Sequence, residues 1–346
     1  MSKSKNTVID LFCGCGGLSF GFIEANYEVV LGIDHWKDAI TTFENTHKKA
    51  KGLVADLFNE TPKQISLKTG IKKVDVIIGG PPCQGFSIAG KRIIDDERNK
   101  LYKSFVSFVE YYKPKAFLME NVPNIVSMGQ GVVKDTIIKD FEKLGYTVVY
   151  KVLLASEYGV PQNRRRAFFI GTKGKKEFIF PEPSNKKIIS AKDAISDLPE
   201  KSVTDGNKYK SEPKSEYQKL IRKSSDSIFN HEITNHSEQT VEIISLVPDG
   251  GNYKNLPKNL QQTRNVNIAW TRLNSNKPSF TIDTGHRHHF HYKYNRVPTV
   301  RESARIQSFP DSFIFLGSKT SQYKQVGNAV PPILAKVLAE ELKKYL

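Results

Sequence analysis

One cysteine stands in a turn whose residue types could do covalent chemistry. In residues 78–87 an apolar run ends in two glycines and two prolines, and Cys83 follows directly. Prolines restrict the backbone of such a turn, which favours a presented thiol over a buried one. An ionised thiol is a soft nucleophile suited to adding to an electron-poor ring carbon. A buried, inert thiol is the usual fate of a free cysteine, but the turn favours a nucleophile.

Glu120 is a second residue of catalytic type. It ends the apolar run 116–120, which is predicted to be a strand, as is the run 74–78 that leads to the Cys83 turn. Active sites of parallel sheets lie at the carboxyl ends of the strands. Cys83 and Glu120 are therefore expected to converge at one edge of the sheet.

A glycine-rich turn follows the predicted strand 8–12 and precedes a predicted helix. The glycines of residues 12–17 allow a tight turn and let the backbone approach a ligand where the helix begins. The spacing is not Gly-x-Gly-x-x-Gly, and no Gly-Lys-Ser/Thr follows, so neither a dinucleotide fingerprint nor a phosphate-binding loop fits. Asp34, at the end of the strand 28–34, is well placed to hold ribose hydroxyls. The pattern favours an adenosyl cofactor without a pyrophosphate, with a merely structural turn as the alternative.

The charge balance bears on the partner. The chain has 52 Lys+Arg against 36 Asp+Glu, a net charge of +16, which favours a polyanionic partner but also suits a lysine-rich surface. Residues 251–300 combine eight Lys/Arg and one acid with several aromatic residues, a composition that suits a nucleic-acid face.

The cysteines and the apolar runs bear on the compartment. Three cysteines, Cys13, Cys15 and Cys83, argue for a reducing compartment, and no ligand set completes a metal site around them. With no signal-peptide core and no run of membrane-spanning length, a cytoplasmic protein is expected.

The order of predicted elements indicates an α/β fold. Short aliphatic strands alternate with helical stretches in the first half, which predicts a largely parallel sheet. A late strand at 166–171 is expected to join it, and a C-terminal helix is predicted over 333–346. After about residue 172, lysine, serine, asparagine and proline dominate and periodicity is weak, which predicts a domain boundary near residues 175–180.

Six segments resemble, in order, the motifs of the bacterial cytosine-5 DNA methyltransferases of restriction-modification systems. They are residues 12–17, 81–87, 120–122, 162–166, 301–310 and 325–332. The resemblance implies a Rossmann-like, doubly wound sheet for S-adenosylmethionine-dependent methyl transfer, with a second, smaller, mostly irregular or β target-recognition domain. It implies a catalytic and cofactor-binding domain at 1–178, a target-recognition domain at 179–316, and a segment at 317–346 that packs back on the catalytic domain.

The resemblance also implies a role for each matched residue. Catalysis would fall to Cys83, Glu120, Arg164 and Arg166. S-adenosylmethionine would be bound by Phe12, Gly14, Gly16, Leu18, Asp34, His35, Asp56, Pro81, Leu101, Asn328 and Val330. DNA would be contacted by Gln84, Ser87, Arg165, Arg272, Arg287 and His289. Arg305 would hold the architecture between the domains.

The implied reaction is methylation of carbon 5 of a flipped-out cytosine in a short duplex DNA site, through a covalent Cys83 adduct. A tRNA cytosine-5 methyltransferase, a catalytically dead DNA-binding relative and a nicotinamide oxidoreductase are the alternatives. Action as a monomer, near the nucleoid and without a metal, is expected. The recognised bases and the presence of a partner restriction endonuclease are left open.

Overall fold

A computed structural model describes residues 5–82, 100–184, 188–261, 270–285 and 289–346. The chain divides into two compact units. Unit 1 comprises Met1–Leu154, Arg165–Pro183 and Leu334–Leu346, and unit 2 comprises Ala155–Arg164 and Ser184–Ile333. The functional domains predicted at 1–178, 179–316 and 317–346 stay a prediction, since these units are defined by contacts alone.

Unit 1 is built on a sheet that, within the described residues, has seven strands in the order β3-β2-β1-β4-β5-β7-β6. The strands are β1 (Thr7–Leu11), β2 (Glu28–Asp34), β3 (Lys51–Val54), β4 (Val76–Gly79), β5 (Ala116–Asn121), β6 (Tyr146–Leu154) and β7 (Arg165–Lys173). The helices are α1 (Gly17–Glu24), α2 (Lys37–Thr46), α3 (Pro62–Thr69), α4 (Lys100–Tyr112), α5 (Val132–Glu142) and α11 (Pro332–Leu342), the last of which begins in unit 2.

The direction of the strands confirms the predicted α/β fold. Strands β1 to β5 pair in parallel, and β7 runs antiparallel to both β5 and β6. The strands β1, β4 and β5 are almost wholly buried, which agrees with their continuous apolar sequences. The ring centroids of Phe117 on β5 and Phe141 on α5 lie 4.0 Å apart, and Gly171 on β7 leaves the space that the Phe117 ring fills.

A buried carboxyl lies on β1, an inner strand of the sheet of unit 1. Asp10 on β1 is 1 % exposed, and it accepts a 2.6 Å hydrogen bond from the hydroxyl of Ser19 in the first turn of α1. Among the described residues, its other oxygen, Oδ1, has no hydrogen-bond partner. Burial raises the pKa of Asp10 to about 7, although the bond from Ser19 opposes this shift.

Unit 2 has short elements joined by long irregular segments. Its helices are α6 (Ala191–Ile195), α7 (Glu216–Arg222), α8 (Glu238–Ser245), α9 (Val300–Ile306) and α10 (Lys319–Asn328). Its strands are β8 (Asn207–Lys208), β9 (Ser227–Ile228), β10 (Thr271–Arg272) and β11 (His289–Phe290). In the described part of the unit, strand structure is confined to the pairs β8–β9 and β10–β11.

A buried ion cluster around Arg305 organises the interior of unit 2. Its guanidinium bonds both carboxylate oxygens of Asp311, at 2.9 and 2.7 Å, and also bonds Asp197 and the hydroxyl of Tyr209. Arg305 and Asp311 are fully buried. The charged groups neutralise each other where water cannot reach them. The contacts of Arg305 that we describe all lie inside unit 2, so they give it a structural role within that unit. The role between the domains that the resemblance implied stays a prediction.

Replacing Arg305 by Met should therefore lower the free energy of unfolding by about 3–5 kcal/mol, because two buried carboxylates would lose the guanidinium that they share. Asp197 and Asp311 would keep only their second cations, Arg222 and Arg301, among the described residues. Urea denaturation followed by circular dichroism measures this. The exposed pair of Lys219 with Glu216 supplies the control, and Lys219→Met should cost less than about 1 kcal/mol. Equal losses in the two variants would contradict the role given to Arg305.

Replacing Asp10 by Asn should change how stability depends on pH. The folded chain keeps a proton on Asp10 up to about pH 7, whereas the unfolded chain releases it near pH 4. The contribution to stability is therefore fully present below about pH 4 and is lost as the pH rises to about 7. Between about pH 5 and 8, Asp10→Asn should gain roughly 1–3 kcal/mol relative to the wild type. An exposed control such as Asp135→Asn should have the same dependence of stability on pH as the wild type. If Asp10→Asn did so as well, Asp10 would be ionised in the folded chain.

Candidate active site

Two turns leave the sheet side by side at the carboxyl ends of β1 and β4. Leu11, the last residue of β1, pairs with Gly79, the last residue of β4. The glycine turn that follows β1 and the turn of Gly80, Pro81 and Pro82 that follows β4 therefore begin at the same edge. This is the edge at which parallel sheets bind their ligands.

The glycine turn has an unusual backbone that is fixed by neighbouring groups. Phe12, Gly14 and Gly16 have φ values of 58°, 53° and 91°, in the left-handed region. The amide of Gly14 donates a 2.9 Å hydrogen bond to Oδ2 of Asp34. A side chain added at Gly14 would meet nothing within 4 Å, so its outer face is open.

Asp34 anchors the end of β2 beside this turn. Its Oδ1 accepts a 2.9 Å bond from the amide of Trp36, and the carboxylate lies 3.3 Å from Nδ1 of His35. The side chain of His35 is 76 % exposed. Asp34 thus presents a fixed carboxylate with an exposed ring next to it, as the predicted ribose and adenine contacts require.

Asp56 lies on the neighbouring chain segment, after β3. The carbonyl of Asp34 accepts a hydrogen bond from the amide of Ala55, which brings the segment to β2. Asp56 is exposed, and Val54 and Phe58 on either side of it are 50 % and 41 % exposed. A carboxylate between two exposed apolar side chains suits an adenine ring with an amino group. The residues present therefore fit S-adenosylmethionine.

The chain leading to Cys83 is seated on the end of β5. The side-chain amide of Asn121 donates a 2.9 Å hydrogen bond to the carbonyl of the buried Pro81. A side-chain carbon at Gly80 would lie 2.9 Å from Oε2 of Glu120, so a larger residue there would have to displace this carboxylate. Cys83 itself, with Gln84 and Ser87, lies outside the described residues.

Glu120 forms an ion pair with Arg166 on the adjacent strand β7. Nε of Arg166 lies 2.8 Å from Oε1 of Glu120, and the two side chains are 16 % and 12 % exposed. The pair is thus mostly shielded from water yet accessible to a ligand. A carboxylate and a guanidinium side by side can bond complementary polar groups of a planar ring.

Arg164 is placed differently from Arg166. It belongs to unit 2 and is 1 % exposed, and its guanidinium donates to the carbonyls of Ile282 and Gly327 at 3.2 and 2.9 Å. The geometry favours a role in fixing these two segments, and it does not favour the predicted contact with the cytosine.

The predicted DNA contacts also differ from one another. Arg165 is exposed, as a DNA contact must be. Arg272 is 4 % exposed and donates to backbone carbonyls such as those of Val247 and His291, so its geometry favours an internal role instead of a DNA contact. His289 is half-buried, with Nε2 3.3 Å from the carbonyl of Thr281. Arg287 lies outside the described residues.

The remaining predicted cofactor contacts lie in both units. In unit 1, Leu18 is buried in α1 and Leu101 is half-buried in α4. In unit 2, Asn328 is exposed at the end of α10 and Val330 is buried in the segment that follows.

Sequence reasoning missed several groups at the site. Ser19, which bonds Asp10, and His47, which contacts Gly16, lack a sequence signal of their own. Asn121 did have a sequence signal, because it stands inside the motif 120–122.

Within the described ranges, no group of three or more His, Cys, Asp or Glu side chains is arranged to bind a metal. Nor does any helix in that part of the chain have the length and apolar character needed to cross a membrane.

Known proteins resemble this chain over nearly its whole length. Residues 6–344 match the family model described as C-5 cytosine-specific DNA methylase. Type II methyltransferase M1.HphI of Haemophilus parahaemolyticus is 41% identical over 98% of this chain and 87% of its own length. Type II methyltransferase M.DdeI of Desulfomicrobium norvegicum is 39% identical over 98% and 88%.

A solved structure supports the same assignment. It is described as a DNA modification methyltransferase encoded within a prophage (E. coli), and it superposes with a TM-score of 0.80 at 28% identity, covering 99% of each chain. Together with the family match over residues 6–344, this confirms the resemblance seen in the six motifs. The chain belongs to the C-5 cytosine-specific DNA methylase family and is a DNA cytosine-5 methyltransferase.

Proposed function

We propose that this chain transfers a methyl group from S-adenosylmethionine to carbon 5 of one cytosine in a short, specific sequence of duplex DNA. The observation that carries the proposal is the seating of the Gly80–Pro81 turn on Glu120 and Asn121, with Arg166 paired to Glu120. This arrangement brings the segment that carries Cys83 to a carboxylate and a guanidinium that suit the polar edge of a pyrimidine.

The chain's own residues would make carbon 5 reactive. The Cys83 thiolate forms a bond to carbon 6, and the electron pair of the 5,6 double bond becomes available at carbon 5. Glu120 hydrogen-bonds ring nitrogen 3 and the exocyclic amine, and Arg166 contacts the carbonyl oxygen, so both stabilise the charge that develops. S-adenosylmethionine, when bound, would supply an electrophilic methyl group, which carbon 5 would take as the sulfonium–methyl bond breaks and S-adenosylhomocysteine leaves. A base or water then removes the carbon 5 proton, and the Cys83 thiolate leaves as the double bond re-forms.

The cofactor side of the site would be formed by the glycine turn and the two acidic residues beside it. Asp34 would bind the ribose hydroxyls and Asp56 the adenine amino group, with Val54 and Phe58 against the ring. The target cytosine must leave the duplex stack to reach Cys83, Glu120 and Arg166, at a cost of a few kcal/mol.

A Type II modification role follows from the relatives. M1.HphI and M.DdeI carry that name, and a restriction endonuclease of the same specificity would be the matching partner. Duplex DNA is favoured over tRNA, because unit 2 adds 150 residues at 184–333 in which a site can be read. We further propose that the enzyme acts as a monomer at the nucleoid.

Replacing Cys83 by Ser should abolish methylation, because an alcohol is a far weaker nucleophile than a thiolate. Tritium transfer from labelled S-adenosylmethionine to duplex DNA measures the activity, with tRNA as the competing substrate. Duplex DNA that contains 5-fluorocytosine should trap the wild type covalently and leave Cys83→Ser free. Calorimetric binding of S-adenosylmethionine, retained by Cys83→Ser, shows that the variant is folded. Activity of the variant, or preference for tRNA, would refute the proposal.

Replacing Glu120 by Gln should lower kcat about 10²- to 10⁴-fold, because the amide neither carries the charge nor matches the cytosine edge. Glu142 on α5 is an exposed carboxylate and gives the matched control; Glu142→Gln should keep the wild-type rate. Single-turnover methylation of saturating duplex DNA compares the three proteins. Similar rates for Glu120→Gln and the wild type would exclude Glu120 from the chemistry.

A further inference from the structure

His47 is a buried histidine that no step of the proposed reaction uses. It ends α2 as its C-cap, and its amide donates a 2.8 Å hydrogen bond to the carbonyl of Phe43. The side chain is 3 % exposed, and its ring lies 4.5 Å from that of Phe43 in an edge-on arrangement. Helix α2 therefore fixes both the position and the orientation of this imidazole.

The imidazole lies directly against Gly16 of the glycine turn. A side-chain carbon added at Gly16 would be 2.1 Å from Nε2 and 2.7 Å from Cδ2 of the His47 imidazole. Gly16 also has a φ of +91°, where other residues are strained. Conformation and contact together exclude any side chain at position 16, so the turn and the imidazole fit each other at van der Waals distance.

A hydrogen bond joins the two. Nε2 of His47 lies 3.1 Å from the carbonyl oxygen of Gly16. Burial lowers the pKa of His47 to about 4, so the ring is neutral at physiological pH. Because the partner is a carbonyl, Nε2 carries the hydrogen and donates it. The same carbonyl accepts the amide of Phe20 at 2.8 Å, which is the first hydrogen bond of α1.

This bond ties the turn to an element outside it. Within the turn, the amide of Gly16 donates to the carbonyl of Cys13 at 2.9 Å, and its own carbonyl accepts the amide of Phe20. His47 holds the same carbonyl from the side of α2. Loss of the His47 bond would loosen this tie to α2, and the wide range of backbone conformations open to glycine would let the turn adjust.

We propose that His47 is a positioning residue for the methyl donor: it acts through Gly16 to keep the glycine turn in the shape that binds S-adenosylmethionine. The inference rests on the proposed function, because it takes this turn as the cofactor site.

Two variants of nearly equal length separate the hydrogen bond from packing. His47→Gln keeps a donor on a flexible side chain, and His47→Met removes the donor. The dissociation constant for S-adenosylmethionine, measured by calorimetry on the full chain, should rise about three- to tenfold in His47→Met, the range for one lost hydrogen bond. It should stay within about twofold of the wild type in His47→Gln. At saturating S-adenosylmethionine, kcat and the KM for DNA should change less than about twofold in both.

A distant bond of the same kind gives the control. Tyr146 is 4 % exposed and donates a 2.7 Å hydrogen bond to the carbonyl of Pro114, which precedes β5. Tyr146→Phe should lower the melting temperature without changing the dissociation constant for S-adenosylmethionine.

Three results would overturn the inference while the proposed function stands. They are wild-type affinity in His47→Met, equal weakening in Tyr146→Phe, and a His47→Met variant that does not fold while His47→Gln folds and binds. A wild-type chain that binds no S-adenosylmethionine would instead refute the proposed function itself.

Discussion

The close approach of β4 to β1 determines where the chemistry of this protein can take place. A side-chain carbon at Gly79 would lie 2.1 Å from the carbonyl oxygen of Leu11, so only glycine lets the two strand ends come this near. The glycine turn after β1 and the Gly80–Pro82 turn after β4 consequently begin at adjacent points on one edge of the sheet. In the proposed function, a methyl donor on the first turn and the nucleophile that follows the second would both serve one substrate base.

The antiparallel strand β7 adds the second charge of the proposed active site. Glu120 pairs with Phe168 in the β5–β7 register, and Arg166 stands two residues before Phe168 on the same face of the sheet. A further parallel strand would instead have run its carboxyl end to this edge. The resemblance assigned roles to Glu120 and Arg166 separately. Their ion pair depends on the register of β5 with β7, two strands that are far apart in the sequence.

The sequence predicted those parts of unit 1 whose burial is continuous. The apolar runs of β1, β4 and β5 need no partner to be recognised, whereas β3 starts with Lys51 and Gly52 and becomes a strand only by pairing with β2. The aromatic residues of the basic stretch 251–300 were interpreted as a nucleic-acid face, yet Trp270 and Phe290 pack in a buried cluster. Composition does not tell which side of an irregular segment faces inward, and for this reason the strands and helices of unit 1 were better predicted than the interior of unit 2.

Arginine and lysine divide the positive charge of unit 2 between interior and surface. Arg164, Arg272, Arg301 and Arg305 are buried, and their planar guanidinium groups bond carbonyls and carboxylates within the unit. Lys254, Lys258, Lys277 and Lys293 are exposed. Among the described residues of the stretch 251–300, the exposed positive charge that the net charge predicts to attract DNA therefore belongs to lysine, whose point charge suits phosphates and is sensitive to salt. Base reading needs oriented donors and acceptors instead, so a basic composition predicts attraction to DNA without predicting which sequence is preferred.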